Sequence, residues 1–280
     1  MFIRKPAVAG AFYPSDRKEL SETIDRCYTH PLGPGRTPPA TRGREDAICI
    51  IVPHAAYQYS GPVAAHSYLH ASSLPDPDLI VVVAPDHNGL GGGVSTFKAG
   101  SWETPLGSMR VDSDATSRLV NDSAAAVFDP ESQRYEHSLE VQLPFLQKLY
   151  GDSVPLLPVS MTFQDMDTAS TVASALEDIV KGRKVVVVAS SDLTHYEPAS
   201  VASKKDHALL EKVVKMDVAG FYSTLEELQV TSCGYGAIAV VMRLAGLLGM
   251  ERAELLKYAT SGDTTGDNLQ VVGYASLRFV

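Results

Sequence analysis

Histidine and aspartate side chains follow three of the most apolar segments of the chain. His54 comes directly after one segment, Asp86 and His87 after a second, and Asp192 and His195 after a third. Neutral imidazole is a common ligand of transition metals, and a nearby carboxylate can orient the ring or shift its pKa. A single histidine in such a place is usually a hydrogen-bonded loop residue, and either aspartate could cap a turn or a helix. The repetition of the pattern favours a metal site.

A cysteine in a glycine-containing turn offers a third ligand. Cys233 lies immediately before an apolar segment that is predicted to be a helix. The dipole at a helix N-terminus lowers the pKa of a thiol, and thiolate is both a nucleophile and a ligand for soft metals. The alternative is that Cys233 is a small residue in a tight turn. The other two cysteines, Cys27 and Cys49, are predicted to be interior thiols because they lie in a helical and an apolar segment.

Two further patterns have a weaker chemical meaning. His66 and His70 are four residues apart on one predicted helical face and could form a metal-binding pair. Neither has an acidic residue close in sequence, so we expect them not to bind metal. Residues 91–93 are three glycines, but they lack the Gly-Lys-Ser/Thr ending of a phosphate-binding loop and predict a mobile turn.

Short apolar runs predict the strands that position these residues. They are rich in Val, Ile and Leu and do not alternate with polar residues, which is typical of strands covered by helices on both faces. The predicted strands are Ala47–Pro53, Leu79–Ala84, Val154–Met161, Lys184–Ala189, Leu255–Thr260 and Gln270–Phe279. Ligands of open α/β sheets bind outside the carboxyl ends of the strands. The three histidine-bearing segments are therefore expected to meet at one edge of a sheet.

Stretches between the strands predict the helices that cover the sheet. The predicted helices run from Ser15 or Asp16 to about Tyr28 and over Gly61–His70, Asp112–Asn121, Leu139–Tyr150, Asp165–Val180, Ser203–Met216 and Gly234–Leu248. Pro144 should kink or restart the fourth of them. Residues 8–14 predict a strand or extended turn, and residues 31–46 predict an exposed loop. This alternation indicates a single layered α/β domain over residues 1–280, with a largely buried mixed sheet flanked by helices.

Bulk composition excludes several classes of function. The 280 residues carry a formal net charge of −9, whereas nonspecific nucleic-acid binding depends on a basic surface. The first residues lack the apolar core and cleavage site of a signal peptide, and no apolar stretch approaches the roughly 20 residues that cross a bilayer. We therefore expect a cytoplasmic protein that binds neither nucleic acid nor a membrane.

Seven motifs of this chain come in the order seen in the MEMO family, which the chain resembles from about residue 6 to its C-terminus. The agreement of seven separate motifs makes the resemblance specific. They are VAGAFYP (8–14), PHAAYQYSG (53–61), APDH (84–87), TPLG (104–107), EHSLEVQLP (136–144), SSDLTH (190–195) and CG (233–234). One departure is Ala56, where relatives commonly have glycine; the added methyl is tolerated unless the residue needs a positive φ.

The resemblance implies a fold and a metal site. The MEMO family is similar in fold to the class III extradiol ring-cleaving dioxygenases, which hold iron with two histidines and a carboxylate. In this chain the resemblance implies one transition-metal ion, iron or copper, held by His54, His87 and Cys233. Cys233 takes the place of the carboxylate, so ring-cleaving activity does not carry across.

The resemblance also implies roles for residues around the metal. His195 and Asp192 are expected to act as an acid–base pair, with His137 as a further catalytic candidate. Three other residues are expected to contact the substrate or ligand: Tyr57, Glu136 and Asp86. A carboxylate beside His195 would raise the pKa of the ring and fix its tautomer.

Two classes of function follow. The first is a non-heme iron- or copper-dependent oxidoreductase of unknown substrate. The second is a binding module in which the same pocket recognises a peptide or a phosphorylated ligand, received by Tyr57, Tyr59, Trp102 and the histidines. The expected partners are a small-molecule or peptide ligand and, by resemblance, AMMECR-type and radical-SAM proteins.

Overall fold

The computed structural model describes residues 2–39 and 46–280. Its strands are β1 (Phe2–Arg4), β2 (Ala47–Val52), β3 (Leu79–Pro85), β4 (Val94–Thr96), β5 (Gly100–Thr104), β6 (Gly107–Arg110), β7 (Ala126–Phe128), β8 (Leu156–Met161), β9 (Val185–Ser190), β10 (His195–Glu197), β11 (Ala253–Thr260) and β12 (Val271–Phe279). Its helices are α1 (Arg17–Thr29), α2 (Tyr57–Ala71), α3 (Ser113–Asp122), α4 (His137–Glu140), α5 (Leu143–Tyr150), α6 (Met166–Val180), α7 (Ala199–Val214), α8 (Val218–Leu228), α9 (Tyr235–Leu247) and α10 (Gly262–Thr265).

A mixed nine-stranded sheet forms the centre of the fold. Its strand order is β10-β12-β2-β9-β3-β8-β4-β7, with β11 paired to β12. Strands β2, β9, β3 and β8 are parallel, so their carboxyl ends lie at one edge of the sheet. A second sheet of three strands has the order β1-β5-β6. The predicted α/β architecture with a central mixed sheet is confirmed.

Helices bury both faces of the four parallel strands. Along β2, Cys49 and Ile51 face α6 and α9, whereas Ile48, Ile50 and Val52 face α1, α2 and α5. This burial on both sides explains why the apolar runs show no alternation with polar residues. None of the helices in the described part of the chain is long and apolar enough to span a membrane.

The predicted restart at Pro144 is confirmed: the segment Leu139–Tyr150 falls in two helices, α4 and α5, because Pro144 starts a new first turn. Other predicted boundaries were wrong. Helix α2 begins at Tyr57, one turn before the predicted start, because the carbonyl of Phe12 binds the Tyr57 N–H at 2.8 Å. Residues 8–13, predicted as a strand or an extended turn, form a turn with Gly10 at φ +86°. The short strands β1, β4, β5, β6, β7 and β10 and the helices α8 and α10 were not predicted. Part of the predicted loop, residues 40–45, lies outside the described residues.

Candidate metal centre

Three side chains that could bind a metal converge at the carboxyl edge of the sheet. The ligand atoms of His54, His87 and Cys233 all lie within 4.8 Å of one another. Cys233 Sγ is 3.1 Å from His54 Nε2, and the two imidazole rings are 5.2 Å apart at an angle of 82°. His54 follows β2, His87 follows β3 and Cys233 precedes α9. Parallel strands and a helix that starts at the same edge therefore bring together residues 179 positions apart.

A series of hydrogen bonds between uncharged groups determines the tautomer of His54. Its Nδ1 lies 2.9 Å from Ser190 Oγ, whose single proton is donated to the carbonyl of Ser138 at 2.7 Å. The Gln142 amide donates to the same oxygen at 2.8 Å. Because the hydroxyl has no second proton, His54 Nδ1–H must be the donor, and Nε2 keeps its lone pair facing Cys233. Burial, and then the charges of neighbouring imidazoles, holds the pKa of His54 well below its usual value, so the ring is neutral.

A carboxylate determines the tautomer of His87. Its Nδ1 lies 2.9 Å from Glu136 Oε1. An ionised carboxylate only accepts hydrogen bonds, so Nδ1–H is the donor and Nε2 is left for a metal. Burial alone lowers the pKa of His87, but the hydrogen bond and charge of Glu136 outweigh it and raise the pKa. Burial alone would also raise the pKa of Glu136, but bonding to His87 and the charges of both histidines hold it well below its usual range.

The Glu136 carboxylate is already engaged by several hydrogen-bond donors, one of which is the His87 ring. Its ligand atoms lie within 4.8 Å of those of His87 and His137, which makes a second possible cluster. However, the carboxylate already accepts the His87 ring, the backbone N–H groups of His87 and Ser138, and the Asn88 amide. These four donors use its lone pairs.

The His137 ring lies against the centre, with its Nδ1 3.3 Å from Glu136 Oε1. It stacks on His87 at 4.7 Å and 21°, and it contacts the ring of Phe12 at 4.7 Å. Burial lowers the pKa of His137, so the ring is neutral near pH 7. Its place beside both proposed ligands agrees with a role at the centre, and its catalytic role stays a prediction.

The pKa of Cys233 is shifted in the direction opposite to the one predicted from the sequence. Burial, and then the charge of Asp192, raises the pKa of its thiol well above the usual value. The predicted lowering by the helix dipole is therefore wrong for the metal-free site, because desolvation exceeds the dipole's effect. Gly234 allows the turn to lie against β9, since a Cβ there would come within 2.4 Å of the Ser190 carbonyl. Gln164 clamps this turn: its amide donates to the Cys233 carbonyl at 2.9 Å and accepts the Gly236 N–H at 2.8 Å.

Asp192 and His195 flank the centre but are anchored separately. Asp192 accepts the His54 backbone N–H at 2.8 Å, and burial raises the pKa of its carboxyl to about 6. His195 donates Nδ1–H to the Thr231 carbonyl at 2.9 Å. In the described part of the chain no hydrogen bond joins Asp192 to His195. The expectation that Asp192 fixes the His195 tautomer was wrong, because the carboxylate points back to the loop after β2.

The residues predicted to contact a ligand differ in accessibility. Asp86 accepts backbone N–H groups of Asn88, Gly89 and Gly91 and so caps a turn, which was the simpler of its two interpretations. Tyr57 is buried and donates its hydroxyl to the Val141 carbonyl at 2.7 Å. Trp102 is fully buried, so the expectation that it receives a peptide side chain was wrong. Ala56 has φ −57°, which any residue can adopt in place of glycine.

The sequence did not indicate the residues that hydrogen-bond to the proposed metal ligands and fix their positions. Ser190, Gln142 and Gln164 are polar residues inside or beside apolar segments, and only the first two lie in a family motif. A buried ion pair of Arg4 with Glu140 was also missed; Arg4 further donates to the Glu136 carbonyl at 2.6 Å. Membership of a motif was the one signal that could have indicated Ser190 and Gln142.

Comparisons with known proteins agree with the motifs. The family model described as "Memo-like protein" matches residues 4–278. A MEMO1 family protein of Ignicoccus hospitalis is 46% identical over 100% of this chain and 99% of its own length. One from Nitrosopumilus maritimus is 45% identical over 99% of this chain and 100% of its own. An uncharacterized Escherichia coli K12 protein of known crystal structure shares the fold, with a TM-score of 0.56 and 15% identity over 83% of this chain and 99% of that chain.

Proposed function

The chain belongs to the Memo-like protein family, and on this premise we propose that it is a metal-dependent redox enzyme. One ion of iron or copper would be held by His54, His87 and Cys233. The observation that carries the proposal is the convergence of these three ligand atoms within 4.8 Å, with the Nδ1 atom of each imidazole engaged by a hydrogen-bond partner and the Nε2 atom left for a metal.

The donor set fits a redox-active metal. Two imidazole nitrogens and one thiolate are a combination that binds copper, and two imidazoles with one anionic ligand also suit ferrous iron. An iron or copper ion bound here would supply one-electron chemistry and open coordination positions for a substrate. Thiolate in place of carboxylate changes the charge and softness of the site, so ring cleavage is not part of the proposal.

Residues of the chain would manage protons beside the metal. His195 gives Nδ1–H to Thr231, so its Nε2 is the nitrogen that can take a proton from a bound ligand. The Asp192 carboxyl, with a pKa of about 6, can hold or release a proton near neutral pH. The neutral ring of His137 would cover one side of the ligand.

A peptide-binding role has less support. Of the aromatic residues that could receive a peptide side chain, Trp102 is fully buried and Tyr57 uses its hydroxyl internally. We therefore propose a small-molecule substrate, and partnership with AMMECR-type and radical-SAM proteins stays a prediction.

Elemental analysis of anaerobically purified protein tests the proposal. Close to one iron or copper ion per chain is expected, and His54→Ala or His87→Ala should remove most of it. His207→Ala is the matched control, because His207 is exposed, its Nδ1 hydrogen-bonds to Ser203 and its ring packs on Tyr258, so it contacts none of the proposed ligands. Thermal unfolding should show that all three variants fold. Wild-type metal content in both folded site variants would overturn the proposal.

A further inference from the structure

A pocket of about 370 Å³ lies between α6 and α9, far from the proposed metal centre. The turn between α7 and α8 closes one end. Three methionines, Met216, Met242 and Met250, supply much of its apolar lining, and Arg243 supplies the positive charge. Arg243 is ten residues after Cys233, so it lies about 15 Å further along the axis of α9. A ligand in this pocket would not touch the metal ligands.

Arg243 differs from the other arginines that are shielded from water. Arg4, Arg183 and Arg278 are each buried or half-buried and pair with a carboxylate. Arg118, also half-buried, donates to the backbone carbonyl of Asp178 at 2.8 Å. Arg243 is also half-buried, and its Nε is fully buried without a hydrogen-bond partner. Within residues 2–39 and 46–280 its guanidinium forms no ion pair. The guanidinium therefore carries its positive charge beside the pocket without a carboxylate partner, and such a group favours an anionic oxygen.

No acidic side chain lines the pocket to supply that oxygen. Asp217, between two lining residues, accepts the Gly220 N–H at 2.8 Å and caps α8 instead. Ser170 donates its hydroxyl to the Met166 carbonyl inside α6. The Ser174 hydroxyl and the guanidinium are the other polar side-chain groups that line the pocket, and only the guanidinium is charged.

The apolar lining indicates the body of the ligand. Methionine side chains are flexible and polarizable, and they adapt to irregular or flexible apolar partners. Guanidinium binds a carboxylate through two parallel hydrogen bonds. We propose that this pocket binds an unbranched alkyl carboxylate, with the carboxylate on Arg243 and the chain against the three methionines. The inference does not depend on the metal proposal.

Methyl NMR of protein labelled at methionine tests the proposal with octanoate as the probe. Saturable shifts are expected at Met216, Met242 and Met250, while Met109, buried in the core on the other face of the sheet, should not move. Octan-1-ol should bind at least about tenfold more weakly because it lacks the charge, and acetate should not bind measurably because it lacks the chain.

Two variants locate the binding. Arg243→Gln should weaken octanoate about tenfold, whereas Arg17→Gln, an exposed arginine of α1, should not change it. Gly246→Leu should block the pocket, because a Cβ there meets only Met216 Cε, at 3.8 Å, and leaves space for a side chain. If Gly246→Leu fails to fold, Arg243→Gln still decides. The proposal would be overturned if octanoate caused no saturable shifts. It would also be overturned if octan-1-ol bound as tightly as octanoate and the Arg243→Gln variant bound octanoate as tightly as the wild-type protein.

Discussion

The two histidines of the proposed metal centre present the same atom but are held in different ways. His54 is fully buried and bonds to Ser190, one of a chain of uncharged groups. His87 is partly exposed and bonds to the buried carboxylate of Glu136. The pKa of His54 is lowered and the pKa of His87 is raised. The same orientation is thus produced with opposite electrostatic results.

This difference shows that orientation and charge are separate properties of a ligand. Either a hydroxyl or a carboxylate can receive Nδ1–H and leave Nε2 for a metal. Only the carboxylate adds negative charge, which strengthens the nitrogen as a ligand and also favours its protonated form. On the His54 side, the group that must lose a proton is Cys233, which lies 3.1 Å from the ring.

The largest expected effect concerns the proton on Cys233. Because burial raises the pKa of this thiol, metal binding must displace its proton, and affinity should rise about tenfold per pH unit, roughly a hundredfold from pH 6 to 8. Protonation of His87, whose pKa is raised, should steepen the fall at the acid end. Calorimetry in buffers of different ionisation enthalpy should show about one proton released per metal at pH 8. Cys233→Ser should bind more weakly and lose this release; the same pH dependence in that variant would assign the proton elsewhere.

Glu136→Gln tests the role of the carboxylate that bonds to His87. Metal affinity should fall about 10- to 100-fold, as is typical when the partner of a ligating histidine is changed. NMR titration of the metal-free variant should show a lower pKa for His87, since the carboxylate that raises it is gone. Glu131→Gln is the control, because Glu131 forms an exposed ion pair with Arg134. An unchanged His87 pKa would contradict the assignment of Glu136 as its partner.

Ser190→Ala tests the role of the uncharged hydroxyl that bonds to His54. Metal affinity should fall by up to about tenfold, and the free energy of unfolding of the metal-free protein should fall by about 1–3 kcal/mol. The loss arises because the ring N–H of His54 and the Gln142 amide lose a shared acceptor in a buried place. Urea unfolding measures the stability, with Ser200→Ala at an exposed position of α7 as control. Equal free energies of unfolding for the two variants would count against the hydrogen bonds assigned to the Ser190 hydroxyl.

The smallest expected effect is a pH dependence of the free energy of unfolding that arises from Asp192, which accepts the His54 backbone N–H. Its raised pKa of about 6 means that the folded protein keeps a proton that the unfolded chain, with a pKa near 3.9, has lost. Stability therefore falls as pH rises through about 6, by roughly 1 kcal/mol between pH 5 and 7. Asp192→Asn should remove this slope in urea unfolding of the metal-free protein.

Asp165→Asn is the matched control for Asp192. The N–H groups at the start of α6, chiefly that of Thr168, lower the pKa of Asp165, so its contribution is lost only as pH falls well below 5. The slope between pH 5 and 7 should persist in this variant. A slope that also persists in Asp192→Asn would assign it to another group.

The sequence by itself determined the sheet and the identity of the candidate ligands. Val- and Ile-rich runs predicted β2, β3, β8 and β9 within about two residues, because burial on both faces leaves a continuous apolar pattern. Histidines directly after strands could be placed at the carboxyl edge, since position along a strand is local information. Motif order predicted the family, and the family match confirmed it.

Only the tertiary structure decided how those ligands are held and charged. Ser190 is 136 residues from His54, and Glu136 is 49 residues from His87, so no local pattern pairs them. The pKa of Cys233 depends on burial that the whole fold produces, and the helix that follows it predicted the opposite direction. Trp102, an aromatic residue in an unpredicted hairpin, is buried by packing against Phe97 and Arg4. Hydrogen-bond partners and desolvation are properties of groups brought together by folding, and spacing along the chain does not contain them.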